Sequence, residues 1–81
     1  MHETINQPVQ VTALFRDGRA TPLKFMWSGR EYPVRAVNLA YSQHEGRSKI
    51  YYFAVSDQAN YFKLRFNSED LSWMLVETYV E

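Results

Sequence analysis

Bulky apolar residues recur at every second position along most of this chain, the period of half-buried β-strands. Between Leu23 and Arg35 the run reads L-K-F-M-W-S-G-R-E-Y-P-V-R, alternating, turning at Gly29-Arg30 and alternating again. A two-residue loop with Gly first suits a type II′ hairpin turn. The pairing that follows sets Trp27 opposite Tyr32, Phe25 opposite Val34 and Leu23 opposite Ala36, with all six on one face. Upstream, Val9, Val11, Ala13 and Phe15 alternate with Gln10, Thr12, Leu14 and Arg16, and Asp17-Gly18 is a hairpin signal. A plain two-residue loop there would set Val11 opposite Lys24. Matching the apolar faces requires either a three-residue Asp17-Gly18-Arg19 loop or a bulge near Pro22, which has no N–H to give a ladder.

The third strand starts at Tyr32 with Val34 and Ala36 inward, and then the apolar parity shifts to Val37, Leu39 and Tyr41. Such a switch predicts a bulge or a strong bend around Arg35 to Asn38. Ser42 to Ser48 is a polar connection. Lys49 to Val55 is apolar at nearly every position and reads as a central strand covered on both faces. A three-residue Asp57-Gln58-Ala59 loop pairs Ala54 with Phe62, Tyr52 with Leu64 and Ile50 with Phe66. Tyr51, Phe53, Val55, Tyr61, Lys63 and Arg65 then share the opposite face, and a loop one residue longer would exchange half of these. Asn67 to Ser72 is a turn, and the last strand sets Trp73, Leu75 and Tyr79 against Met74, Val76 and Val80.

The expectation is an all-β domain over residues 8–81, following a flexible N-terminus at 1–7. About six antiparallel strands run as a meander in a curled sheet or small barrel, which a thin core favours over a two-sheet sandwich.

Composition sharpens this. At 81 residues the chain makes one domain that buries roughly 60–65% of its unfolded surface. Six Tyr, five Phe and two Trp supply most of the core volume. There is no cysteine, hence no disulfide and no thiolate metal site. The N-terminus lacks the basic and apolar regions of a signal peptide, and no apolar run approaches a bilayer span, so the expectation is a soluble cytoplasmic protein. The net charge is zero but unevenly placed: residues 16–66 hold all nine Lys and Arg against four acids, and residues 67–81 hold four acids and no base. The tail's acids neutralise the middle's bases, or else the middle presents a basic face to an anionic partner.

Catalytic signals are poor. His2 lies in the terminus and His44 in a polar loop, without neighbours at metal-ligand spacing. Asp57, Glu69 and Asp70 sit in turns, where carboxylates bond local backbone. The three glycines are isolated, so no phosphate-cradling loop exists. A non-enzymatic chain without cofactor or metal is expected.

The basic and aromatic residues say more. Lys24 and Arg35 oppose each other in the predicted hairpin, a like-charge pairing that costs stability, and Arg30 lies at its tip. Tyr51, Tyr61, Lys63 and Arg65 interleave rings and cations on one face, the chemistry that holds single-stranded nucleic acid on small barrels. The plainer account is that the rings pack across strands and the Lys and Arg stems cover them. The alternative partner is a protein, or a second copy in a homodimer, met by Met74, Val76 and Val80 on a last strand apolar on both sides.

Phe25-x-Trp27-x-Gly29-Arg30-x-Tyr32-x-Val34, followed by Leu64-Arg65-Phe66 and Trp73-x-Leu75, resembles a family of small uncharacterised bacterial β domains over residues 22–79. Where that family carries a further tryptophan in the third strand, this chain has Asn38 to Tyr41. The resemblance implies no activity. Some members are associated with DNA-repair polymerase operons, which implies a link to nucleic acid.

Overall fold

Two corners, each one residue after a proline, organise the chain. In the computed structural model, which describes residues 1–80 and only the backbone of Val80, the chain is all-β. It has eight strands: β1 (His2–Pro8), β2 (Gln10–Arg16), β3 (Arg19–Trp27), β4 (Arg30–Pro33), β5 (Ala36–Glu45), β6 (Ser48–Ser56), β7 (Asn60–Asn67) and β8 (Ser72–Val80). They form an antiparallel five-stranded sheet in the order β1-β8-β7-β6-β5 and an antiparallel three-stranded sheet in the order β2-β3-β4.

At Pro33-Val34 the chain leaves one sheet for the other. Val34 N–H donates to Leu23 C=O at 2.9 Å, and the next amide, Arg35 N–H, donates to Ser56 C=O at 2.9 Å in the other sheet. Pro8-Val9 repeats the device, with Val9 N–H donating to Trp73 C=O at 3.2 Å before β2 starts its pairing with β3. Each proline fits because it has no N–H to leave unpaired at a sheet edge. Val9 and Val34 are both packed against the core. With β1–β2 and β4–β5 each taken as one bent run, six runs follow one another round the molecule and the last, β8, pairs with the first. The meander is therefore a flattened ring whose corners are strands that switch sheets.

The core fills the space between the sheets. Phe25 shares one buried cluster with Phe53, Val55, Phe62, Leu64, Phe66 and Leu75, with Ile5, Val11, Trp27, Tyr32, Tyr51 and Trp73 packed against it. Phe25 stacks on Tyr32 at 5.3 Å and meets the edge of Phe62 at 5.0 Å. Such aromatic contacts add roughly 0.5–1.5 kcal/mol each beyond area burial.

Several expected registers are corrected. The second hairpin turns on Ser28-Gly29, not Gly29-Arg30, so Trp27 faces Arg30 and Phe25 faces Tyr32. Both turn residues have positive φ, 54° and 77°, the type I′ signature that matches strand twist. Asp17-Gly18 is a two-residue loop with Arg16 opposite Arg19, and a bulge between Thr12 and Ala13 restores Val11 to Phe25, the second of the two solutions open from sequence. That bulge turns Leu23 outward, 47% exposed. The parity switch is a bulge between Val37 and Leu39, beside the corner, and Ala36 is exposed. The loop between β6 and β7 is one residue longer than expected: Ser56 faces Tyr61, and the Asp57 carboxylate accepts from Ala59 and Asn60 N–H at 2.8 Å each to close it. Tyr51, Phe53 and Val55 therefore face the core, and Tyr52 joins Lys63 and Arg65 outside. Residues 2–7, expected to belong to a flexible N-terminus, lie with Pro8 in β1 along β8.

Candidate functional site

The outer face of the five-stranded sheet gathers a group of polar and aromatic side chains that the core does not consume. Strand alternation puts Leu39, Tyr41, Gln43 and Glu45 of β5 there, with Tyr52 and Ala54 of β6, Tyr61, Lys63 and Arg65 of β7, and Glu77 and Tyr79 of β8. Tyr41 and Tyr52 are register partners whose rings stack at 5.1 Å and 19°. The Lys63 ammonium lies over both, 5.0 Å from the Tyr52 ring centre and 5.7 Å from that of Tyr41. The Tyr41 hydroxyl beside it holds the Lys63 amine above its ordinary range, so it stays charged.

Beside this stack, Glu45 gathers three donors. Tyr52 O–H donates to Oε2 at 2.9 Å, Arg65 Nη2 to Oε1 at 2.9 Å and Gln43 Nε2 to Oε2 at 3.4 Å. The hydrogen bond from Tyr52, then those from Arg65 and Gln43, hold the Glu45 carboxyl below the usual carboxylate range. At the far side, His2 Nε2 lies 2.6 Å from Glu77 Oε2. Between the two clusters a depression of about 260 Å³ is floored by Ala54 and flanked by Leu39, Tyr41, Tyr61, Lys63, Glu77 and Tyr79. Leu39, Tyr61 and Tyr79 are 56%, 51% and 47% exposed. The surface is aromatic and close to neutral, because Arg65 is tied to Glu45 and Lys63 faces Glu77 across the β7–β8 ladder.

Of the residues expected to meet nucleic acid, Tyr61, Lys63 and Arg65 come together here. The others are elsewhere. Tyr51 is on the core side, under the Lys49 ammonium at 5.2 Å and at the open end beside the β2–β3 turn. Lys24 faces Pro33, not Arg35, and pairs with Glu31 at 3.1 Å on the three-stranded sheet. Arg30 lies over the Tyr32 ring at 5.5 Å. Arg35 sits at the second corner, beside a separate shallow depression with Asp57 and Asn60. Of the expected interface residues, Met74 and Val76 are half-buried in β8, which β1 and β7 flank on either side. The Val80 side chain lies outside the described residues.

Tyr52, Tyr79 and Glu45 were not singled out from sequence. Each depends on a register, and only the one-residue lengthening of the 57–60 loop moves Tyr52 to the Lys63 face. Among the described residues no group of three His, Asp or Glu is placed to hold a metal ion, and no helix is long and apolar enough to cross a membrane. No family model, curated protein or solved structure matches this chain.

Proposed function

We propose that the chain is a non-enzymatic binding module that takes a protein partner on the outer face of its five-stranded sheet. The observation that carries this is the company the exposed rings keep. Leu39, Tyr61 and Tyr79 stand open round one depression, and the charges near them are matched, Arg65 bonded to Glu45 and Lys63 facing Glu77 across the β7–β8 ladder. Exposed aromatic surface with its charges already neutralised suits a protein interface, where tyrosine is enriched and unpaired charge is depleted. A phosphate backbone asks for the reverse, an excess of unpaired cations. Single-stranded nucleic acid stays as the second reading on one observation, the Lys63 ammonium over the Tyr41–Tyr52 stack with Tyr61 open beside it.

The test uses a Tyr61→Ala/Tyr79→Ala double variant, whose side chains are exposed and whose loss leaves the core intact. A protein captured by the wild-type chain and not by the variant is purified, and its direct binding to both is measured by calorimetry. Direct binding lost in the variant supports the reading. In parallel, single-stranded oligonucleotides are titrated at rising salt. Affinity that falls steeply with salt and disappears on Lys63→Ala would replace the protein reading with the nucleic-acid one.

A further inference from the structure

The edge of the five-stranded sheet goes beyond that reading. β5 is the longest strand of the fold, ten residues, and each of them is exposed. Among the described residues it pairs with β6 on one side and with no strand on the other. Glu45 and Ser48 flank a two-residue turn, which makes them a hydrogen-bonded pair, as are Gln43 with Ile50 and Tyr41 with Tyr52. The N–H and C=O groups of Ala40, Ser42 and His44 therefore point away from the sheet.

Exposed edges are normally blunted by shortness, proline, lysine or a bulge. The other edges have such devices. β4 is four residues long and ends in Pro33, the ladder of β2 is interrupted by a bulge whose extra residue, Leu23, lies in its partner β3, and β1 is irregular between Thr4 and Gln7 and ends in Pro8. From Leu39 to Glu45, β5 has none. It has no proline and no lysine, its ladder is uninterrupted, and its one acid is held by Arg65. Alongside it, between Ala40–Ser42 and Arg19–Thr21 of β3, lies an open cleft of about 410 Å³.

We infer that β5 pairs with β5 of a second copy, antiparallel about a two-fold axis at Ser42. Such a pairing must join outward-facing residues to outward-facing residues. The register centred on Ser42 is the one that runs from residue 39 to 45 without using the bulge at Asn38. It sets Ala40 against His44 of the second copy, Tyr41 against Gln43, and Leu39 against Glu45, so no like charges meet. The self-complementarity that a closed dimer requires is met by the strand itself. The result is one continuous ten-stranded sheet, with the two Tyr41 rings in diagonal contact.

Because the chain has no cysteine, one substitution reports on the axis directly. In a hydrogen-bonded antiparallel pair the Cα atoms are about 5.5 Å apart, within disulfide range. Ser42→Cys should therefore give a covalent dimer on mild oxidation, and Leu39→Cys, facing Glu45 of the second copy, should not. Wild-type mass by light scattering should rise from one copy toward two with concentration. Ser42→Lys, which sets two ammonium groups face to face, should stay monomeric with an unchanged circular dichroism spectrum and, at dilutions where wild type is also monomeric, an unchanged melting temperature. Tyr61→Ala/Tyr79→Ala, away from the edge, should dimerise as wild type does, so failure here is distinct from failure of the partner surface. A wild-type chain that stays monomeric at the highest concentration, or cross-linking of Leu39→Cys as fast as of Ser42→Cys, overturns the inference.

Discussion

Glu45 is where single atoms set the shape of the outer face. Its carboxylate ties β5 to β6 through Tyr52 and to β7 through Arg65. These donors prefer the charged form, so its pKa in the folded chain lies below the unfolded value. A depressed carboxyl adds stability that is present above the unfolded pKa and is lost as pH falls through the folded one. Acidification should therefore release Arg65 and the Tyr52 hydroxyl only below the usual glutamate range. An NMR titration of the side-chain carboxyl should show a midpoint lower than that of an exposed glutamate. Tyr52→Phe removes the largest contributor and should raise the midpoint; no movement would mean that the tyrosine is not the principal donor. At the same scale, Leu64 is fully buried, opposite Leu75 in the middle of the core. Leu64→Ala should cost about 2–5 kcal/mol in urea unfolding. By contrast Leu39→Ala, at an exposed site, should fall within roughly 0.5 kcal/mol of wild type.

Elements show which features were legible in the residues and which were not. Shifting the Ser28-Gly29 turn by one residue changes partners by two positions, and a slip of two keeps every side chain on its face. Phe25, Trp27, Tyr32 and Val34 were thus assigned to the core correctly although their partners were not. Lengthening the 57–60 loop by one residue slips β7 by one position and exchanges faces, so Tyr51 and Tyr52 traded places. Nothing in the alternation of a strand apolar at nearly every position could choose between them; the Asp57 carboxylate bonding two amides did. The turn itself is testable. Gly29 has φ +77° with no atom near its missing Cβ, so Gly29→Ala should cost about 1–2 kcal/mol from backbone strain alone. Ser28 also has positive φ, and Ser28→Asn should stabilise by roughly 0.5 kcal/mol because asparagine tolerates that region. Equal urea midpoints for the two variants would reject the type I′ assignment.

For the whole molecule the question is whether the six runs close a ring. The number of runs was readable from the alternation, and the two corners were marked by Pro8-Val9 and Pro33-Val34, a repeated dipeptide whose meaning needs the structure. What composition could not reveal is that the polar stretch before Pro8 completes the circuit. β1 contributes a ladder along β8, the Ile5 side chain packed on the core and a Gln7 side chain that accepts from the Trp27 indole N–H at 3.0 Å. Each net hydrogen bond is worth about 0.5–1.5 kcal/mol and a half-buried isoleucine about 1 kcal/mol. Deleting residues 1–7 should therefore cost roughly 2–4 kcal/mol and leave β8 as a new open edge. In hydrogen exchange, the β8 amides that face β1 should lose protection while those that face β7 keep it. A ring explains that asymmetry, because opening it at one seam leaves six runs, the first reduced to β2, still paired in order. Unchanged stability and unchanged β8 protection would mean that β1 does not hold the seam, and the fold would then be an open sheet whose free strands are β8 and β5.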